Sequence, residues 1–190
     1  MKNRNGFMAA AEKLGETIFT SSIRILETEY QKEEKRQTVR QVFAELMETW
    51  GKQTQEEAAA LGICYLHSSI LMRSAEIRLT LYGRALYMDE KRLEKAWTLP
   101  RFFGQYEQDM TEIMDKLRKE FPRIYPYEEE AVRFWYAQYY YAALKVLCGD
   151  MLEEVREGRE YRMLNKTEDF YFFFGRWRGE AEKLVCMENI

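Results

Sequence analysis

Proline is scarce in this chain. There are three in 190 residues, Pro100, Pro122 and Pro126, and the first 99 positions hold none. Glycine, at ten residues, falls below its usual share of about 7%. So few breakers, with abundant Glu, Lys, Arg, Ala, Leu and Met, leave long segments free to be helical and provide no low-complexity linker to divide the chain. Cysteine is also rare. Cys64, Cys148 and Cys186 are odd in number and far apart, which excludes a disulfide framework and suits a reducing compartment. The formal net charge is only −3, without the basic excess of a typical nucleic-acid binder, so no nucleic-acid partner is expected. The longest uncharged run, Ala58 to Met72, is about 15 residues and is interrupted by His67, Ser68 and Ser69; a membrane span needs about 20. Glu12 and Lys13 break the apolar run at the N-terminus before a secretory core can form. The expectation is a cytoplasmic, soluble protein of one compact domain, residues 1–190.

Chemistry-bearing motifs are equally sparse. The one histidine, His67, stands three residues after Cys64. On a helix this Cys-x-x-His spacing would put both groups on one face, as a thiolate–imidazole pair or as a small buried cysteine beside a satisfied histidine. The remaining cysteines have no close partner, so a zinc site is not expected, and position 64 does not supply the Glu-x-x-His pair of a di-metal bundle. Phosphate-loop, dinucleotide, haem-attachment and nucleophile-elbow motifs are absent. The reading leans against an enzyme, and no cofactor, metal or catalytic residue is expected. Asp109, Glu112, Asp115 and Glu120 read as a solvated helix face.

What the chain does have is aromatic residues and helical period. Residues 7 to 30 place Leu14, Ile18 and Ile25 beside Phe19, Ile23 and Leu26 in one broad apolar stripe. Val39, Val42, Phe43, Leu46, Met47 and Trp50 follow one another in steps of 3, 1, 3, 1 and 3, which fit one face of a second helix, with Gly51 as its stop and the charged "QKEEKR" (31 to 36) before it. "TQEE" (54 to 57) resembles a capping box, opening a helix of 54–73 that is apolar almost all round. "EIRLTLYG" alternates with period 2 and predicts a strand at 76–82, with 85–88 as a short return strand. Asp89 is expected to cap a short helix to about Trp97. Phe103, Tyr106, Met110, Ile113, Met114, Leu117 and Phe121 mark a helix after Pro100. Five aromatics in succession, 170–174, predict a buried third strand, and a closing helix is expected from about Gly179.

The densest segment is "RFWYAQYYYAAL" (133 to 144), with six aromatic rings, four of them tyrosines. At about 100° per residue its rings cover most of the helix circumference, so neighbours must wrap it. A buried tyrosine hydroxyl left unpaired costs roughly 1–3 kcal/mol, so these need a polar partner; Arg133, Gln138 or a carboxylate of a neighbouring helix would serve. "GRWRG" (175 to 179) offers two guanidinium forks beside an indole face, suited to an anion; its plainer reading is that the arginines pair with nearby Glu while Trp177 anchors the chain.

The fold class expected is mostly α (α+β): a helical bundle around central helices at 54–73 and 127–147, with a small antiparallel sheet of 76–82, 85–88 and 170–174. The expected function is a non-enzymatic binding or protein-interaction module, self-association included. The alternative is a small-molecule binder or enzyme with an aromatic and Arg-lined pocket for a small anionic ligand, drawing on Tyr136, Tyr139, Tyr140, Arg176, Trp177 and Arg178.

Overall fold

The computed structural model describes residues 6–74 and 76–184. Its elements run α1 (Phe7–Tyr30), α2 (Glu33–Gln53), β1 (Ala58–Tyr65), α3 (His67–Met72), β2 (Glu76–Tyr82), β3 (Leu93–Thr98), α4 (Pro100–Glu120), α5 (Pro126–Glu157), α6 (Arg159–Met163), β4 (Lys166–Arg176) and β5 (Ala181–Leu184). The protein is mostly helical with one five-stranded mixed sheet, in the order β3-β2-β1-β4-β5. β1 and β4 are parallel; the other three pairs are antiparallel.

Helix period located α1, α2, α4 and α5 because each has one strongly apolar side or, for α5, rings on nearly every side. α4 and α5 both start with proline in the first turn, where its missing N–H costs nothing. Glu128 at the start of α5 accepts the backbone N–H of Tyr125 (2.8 Å). The central place expected for 127–147 holds: Tyr136, Ala137, Tyr140 and Leu144 are fully enclosed. Gly15 of α1 permits the approach, since a Cβ there would lie 2.8 Å from the Trp135 ring of α5.

The segment 54–73 is not a helix. Thr54 accepts the N–H of Glu56 (3.0 Å) in a local turn, Glu57 turns outward to pair with Arg84, and Ala58–Tyr65 becomes the central strand of the sheet. A strand buried on both faces is as uniformly apolar as a buried helix, so periodicity alone does not separate them. Its small residues have a steric purpose. The Phe173 ring of β4 lies across Gly62, where a Cβ would meet it at 2.4 Å.

The strand at 76–82 forms with the bounds its alternation predicts, but its return strand is not 85–88. Leu86–Met88 is a single 3-10 turn. The Asp89 carboxylate accepts the N–H of Gly83 (2.6 Å) and of Lys91 (2.9 Å), closing a loop instead of capping a helix. The chain then returns as β3, pairing Leu81 with Leu93 and Ile77 with Trp97. The aromatic run 170–174 is the middle of the longer β4, which lies beside β1 instead of joining the β2 hairpin directly. The sheet is therefore mixed where a purely antiparallel one was expected. The helix expected from Gly179 is instead β5, paired with β4 from Phe172–Leu184 to Gly175–Ala181. Val185, which that helix was to include, lies outside the described residues, as does Cys186.

The helices cover one face of the sheet. Leu61, Ile63, Ile77, Leu79, Leu81, Trp97, Phe172 and Phe174 point into a continuous core shared with the four long helices. The alternate residues, Ala60, Cys64, Tyr82 and Phe173, face the other way and form a separate small cluster with Leu86, Tyr171 and Trp177.

Candidate functional site

The aromatic segment of α5 meets α4 and α1 around one carboxyl group. Asp109 is 2% exposed. It stands at 102, 106, 109 and 113 in the spacing 4, 3, 4, so the turn that buries Phe102, Tyr106 and Ile113 buries it as well. The expectation that Asp109 is solvated is thereby corrected, whereas Glu112, Asp115 and Glu120 are exposed as expected. Tyr136 and Tyr140, one turn apart on α5, both donate to Asp109 Oδ2 at 2.6 Å. Ser22 of α1 donates to Oδ1 at 2.7 Å and Gln105 at 2.9 Å. A carboxylate offers about four acceptor positions, and all are taken. Burial, reinforced by the hydrogen bond to Asp109, pushes both tyrosine hydroxyls far above their ordinary range. No sequence motif marks this network. The signal for it was the need of the tyrosine hydroxyls for a partner, together with a carboxylate in the inward register of α4.

A second polar link closes the same helix pair. Arg133, only 7% exposed, donates a bidentate fork to Glu107 (2.8 and 2.9 Å), which holds the guanidinium charged, and Tyr106 donates to the Arg133 carbonyl (2.8 Å).

Beside this framework α1 and α5 diverge, leaving a concave groove of about 420 Å³. Phe19, Ile23 and Leu26 form one wall, Tyr139, Ala143, Val146 and Leu147 the other, and Phe102 and Tyr30 lie at its base. Glu27, Gln31, Arg36 and Asp150 stand at its rim. The groove rests on the Asp109 network. Phe19 packs edge-on against Tyr140 at 5.6 Å, and Phe102 does so at 5.4 Å. Burial pushes the Tyr30 hydroxyl up to about 12.

The residues expected to form one pocket divide among three places. Tyr136 and Tyr140 are interior and hold Asp109. Tyr139 is half-buried and lines the groove. Arg176 and Arg178 are exposed at the β4–β5 turn, and Trp177 lies in the cluster on the far side of the sheet, with the guanidiniums of Arg78 and Arg178 at 5.9 and 5.7 Å from its ring. The sheet separates the α5 tyrosines from Trp177, so a single aromatic and Arg-lined pocket of those six residues does not form.

No family model matches the chain, and neither the curated proteins nor the solved structures yield a match.

Cys64 and His67 do not share a helix face, because the chain passes from strand to helix between them. Cys64 points to the outer side of the sheet, where burial pushes its thiol up to about 12. His67 lies against Tyr65 and Phe134; partial burial, then the charge of Arg176, lowers its pKa. Among the described residues no cluster of three or more His, Cys, Asp or Glu could hold a metal ion, and no helix is long and apolar enough to cross a membrane.

Proposed function

We propose that this protein is a non-enzymatic binding protein whose groove between α1 and α5 takes an apolar small molecule. The observation that carries this reading is the groove itself: about 420 Å³, walled by aliphatic and aromatic side chains, with polar groups confined to the rim. Ligand sites are typically concavities of roughly 300–1,000 Å³ with this division of lining. The base is preorganised, since Phe19 and Phe102 lean on tyrosines whose own hydroxyls are fixed to Asp109. Preorganisation of this kind lowers the ordering cost of binding. The buried polar groups beneath are saturated by one another, which favours a supporting over a reacting role.

The test is a thermal-shift titration with decanol, a neutral apolar probe. A ligand at 100 times its Kd stabilises by about 2.7 kcal/mol. Ala143→Trp should fill the groove and abolish the shift while the variant still unfolds cooperatively. A shift that survives Ala143→Trp unchanged, or no shift at any attainable concentration, overturns the reading.

One observation favours a second reading, in which a second copy of the chain covers the groove. Val146 on its wall is 51% exposed and Ile25 on α1 is 57% exposed. Sedimentation equilibrium decides: a dimer dissociated by Val146→Arg supports self-association, and a monomer throughout the micromolar range removes it.

A further inference from the structure

The outer side of the sheet carries a second concavity, unconnected with the groove. Four rings converge there from β2, the loop after it, and β4. Tyr82 lies 5.4 Å from Tyr87 and 5.9 Å from Phe173, and Tyr171 lies 6.1 Å from Phe173, at tilts between 29° and 68°. With Leu86 below and Lys183 of β5 at one side, they enclose about 330 Å³. Among the described residues, none from an α-helix belongs to this cluster or lines the concavity. The cluster contributes no residue to the main core, yet Tyr82 is 1% and Phe173 5% exposed, because the rings bury one another. Tyr87 closes the outer side and is 46% exposed.

Two features of this pocket select a ligand. The first is charge. A cage of aromatic rings attracts cations, and a cation site normally adds a carboxylate. Here the charged residue in the wall is Lys183, whose ammonium stands 4.2 Å from the Tyr171 ring centroid. Among the described residues no carboxylate lies within ion-pair distance of Lys183 or of Arg178, which precedes Gly179 of the pocket wall; the neighbouring Glu182 is turned to the helix side and pairs with Lys145. The second is a pair of hydroxyls that bond nothing outside themselves. The Tyr82 hydroxyl and the Thr80 hydroxyl, two residues before it on the same side of β2, are buried with no partner beyond each other. Buried hydroxyls normally find partners, and those left over call for an explanation.

We infer that this pocket binds a small flat aromatic molecule carrying an anionic group. Its ring stacks among Tyr82, Tyr87, Tyr171 and Phe173, and its anion meets Lys183, with Arg178 at the edge. The enclosed volume suits one or two fused rings. A nucleoside monophosphate and an aromatic carboxylate share this chemistry, and both are used as probes.

Binding of AMP and of indole-3-acetate is measured by isothermal titration calorimetry on the full chain, with adenosine and indole as neutral controls. At least one anion should bind with Kd below about 1 mM and at least tenfold more tightly than its neutral counterpart. AMP alone binding would assign the anion to phosphate, and indole-3-acetate alone to carboxylate. Lys183→Glu should weaken the anion at least tenfold, and Tyr87→Ala, at an exposed position that leaves the fold intact, should weaken anion and neutral control alike. Val146→Arg, in the α1–α5 groove, should change neither, which keeps this site separable from the groove. The inference is overturned if both anions fail to bind, if the neutral controls bind as well as the anions, if Lys183→Glu has no effect, or if a single-stranded oligonucleotide binds at least tenfold more tightly than AMP.

Discussion

Two parts of this molecule concentrate aromatic side chains, and their most enclosed tyrosines treat the hydroxyl differently, although α5 also holds Tyr141, whose buried hydroxyl has no partner. In α5, Tyr136 and Tyr140 are fully enclosed and both hydroxyls end on Asp109. On the outer side of the sheet Tyr82 is equally enclosed and its hydroxyl meets only that of Thr80. The ring contributes similar apolar burial in both places, so the difference lies in the last atom of the side chain. In the helical layer that atom is part of the framework that holds α1, α4 and α5 together. On the sheet it ties to nothing beyond Thr80 of its own strand, and the rings around it form a concavity open to solvent. A buried polar atom is thus informative in proportion to what the fold leaves undone with it.

The largest effect should come from removing the hub. Asp109→Ala leaves two tyrosine hydroxyls, Ser22 and Gln105 without their acceptor, each costing about 1–3 kcal/mol if it stays buried and unpaired. A loss of at least about 3 kcal/mol in urea unfolding is expected, with Asp109→Asn less damaging because its amide keeps one acceptor oxygen. If Asp109→Ala unfolds within about 1 kcal/mol of the wild type, the network is not the framework it is argued to be.

Removing one donor at a time should cost less. Tyr136→Phe and Tyr140→Phe keep the ring and delete a hydrogen bond to a carboxyl group, at about 1.5–3 kcal/mol each. Because both hydroxyls share Oδ2, the double variant should depart from additivity by about 0.5 kcal/mol or more.

The same tyrosines set the alkaline limit of the fold. Their hydroxyls are raised by burial above the ordinary value of 10, as are those of Tyr106 and Tyr141, and Tyr30 is pushed up to about 12. Above pH 10 the unfolded chain has released protons that the folded chain still holds. Stability is therefore full below pH 10 and falls as pH rises through the range where only the unfolded tyrosines ionise. Tyrosinate absorbance should show the exposed tyrosines titrating first and the remainder appearing only with loss of the far-ultraviolet helical signal. A single smooth titration with the helical signal intact would contradict the enclosure of these side chains.

How far the sequence disclosed this arrangement depends on what each element faces. α1 and α4 each bury one side and expose the other, and β2 alternates inward Ile77, Leu79 and Leu81 with outward Arg78, Thr80 and Tyr82, so their periods are readable even though Thr80 and Tyr82 are themselves buried. β1 lies between two strands under cover on both faces, and its apolar run has no period to read. β3 fails for another reason: Lys95 stands in the inward register, opposite Leu79, and reaches out to Glu45 of α2, so a charge occupies the place where alternation asks for an apolar residue. β5 repeats this with Glu182, paired to Lys145 of α5. In both strands a charged side chain spans from the sheet to a helix, a tertiary pairing that period alone does not reveal. The site divides along the same line. That the α5 hydroxyls need a polar partner follows from chemistry, and a carboxylate of a neighbouring helix was among the candidates. That the partner is Asp109 depends on which face of α4 meets α5. The sequence pattern placed 175–179 as a segment with anion chemistry, but its aromatic neighbours come from β2 and the loop after it, across the sheet from α5.

The smallest effects test the opposite member of the comparison. Thr80→Val removes a buried hydroxyl whose one neighbour is the equally under-used Tyr82 hydroxyl, and keeps the branched shape that suits a strand. Burying such a group costs about 1–3 kcal/mol on the protein scale, so the substitution should be neutral or stabilise by up to about 1 kcal/mol, once imperfect fit is allowed for. Tyr82→Phe should behave in the same way, although Tyr136→Phe, the same chemical change at the same burial, is destabilising. The sign is what matters. If Tyr82→Phe lowers stability as much as Tyr136→Phe, the Tyr82–Thr80 contact is a full hydrogen bond, and the outer pocket loses the under-used hydroxyls that help to mark it as a binding site.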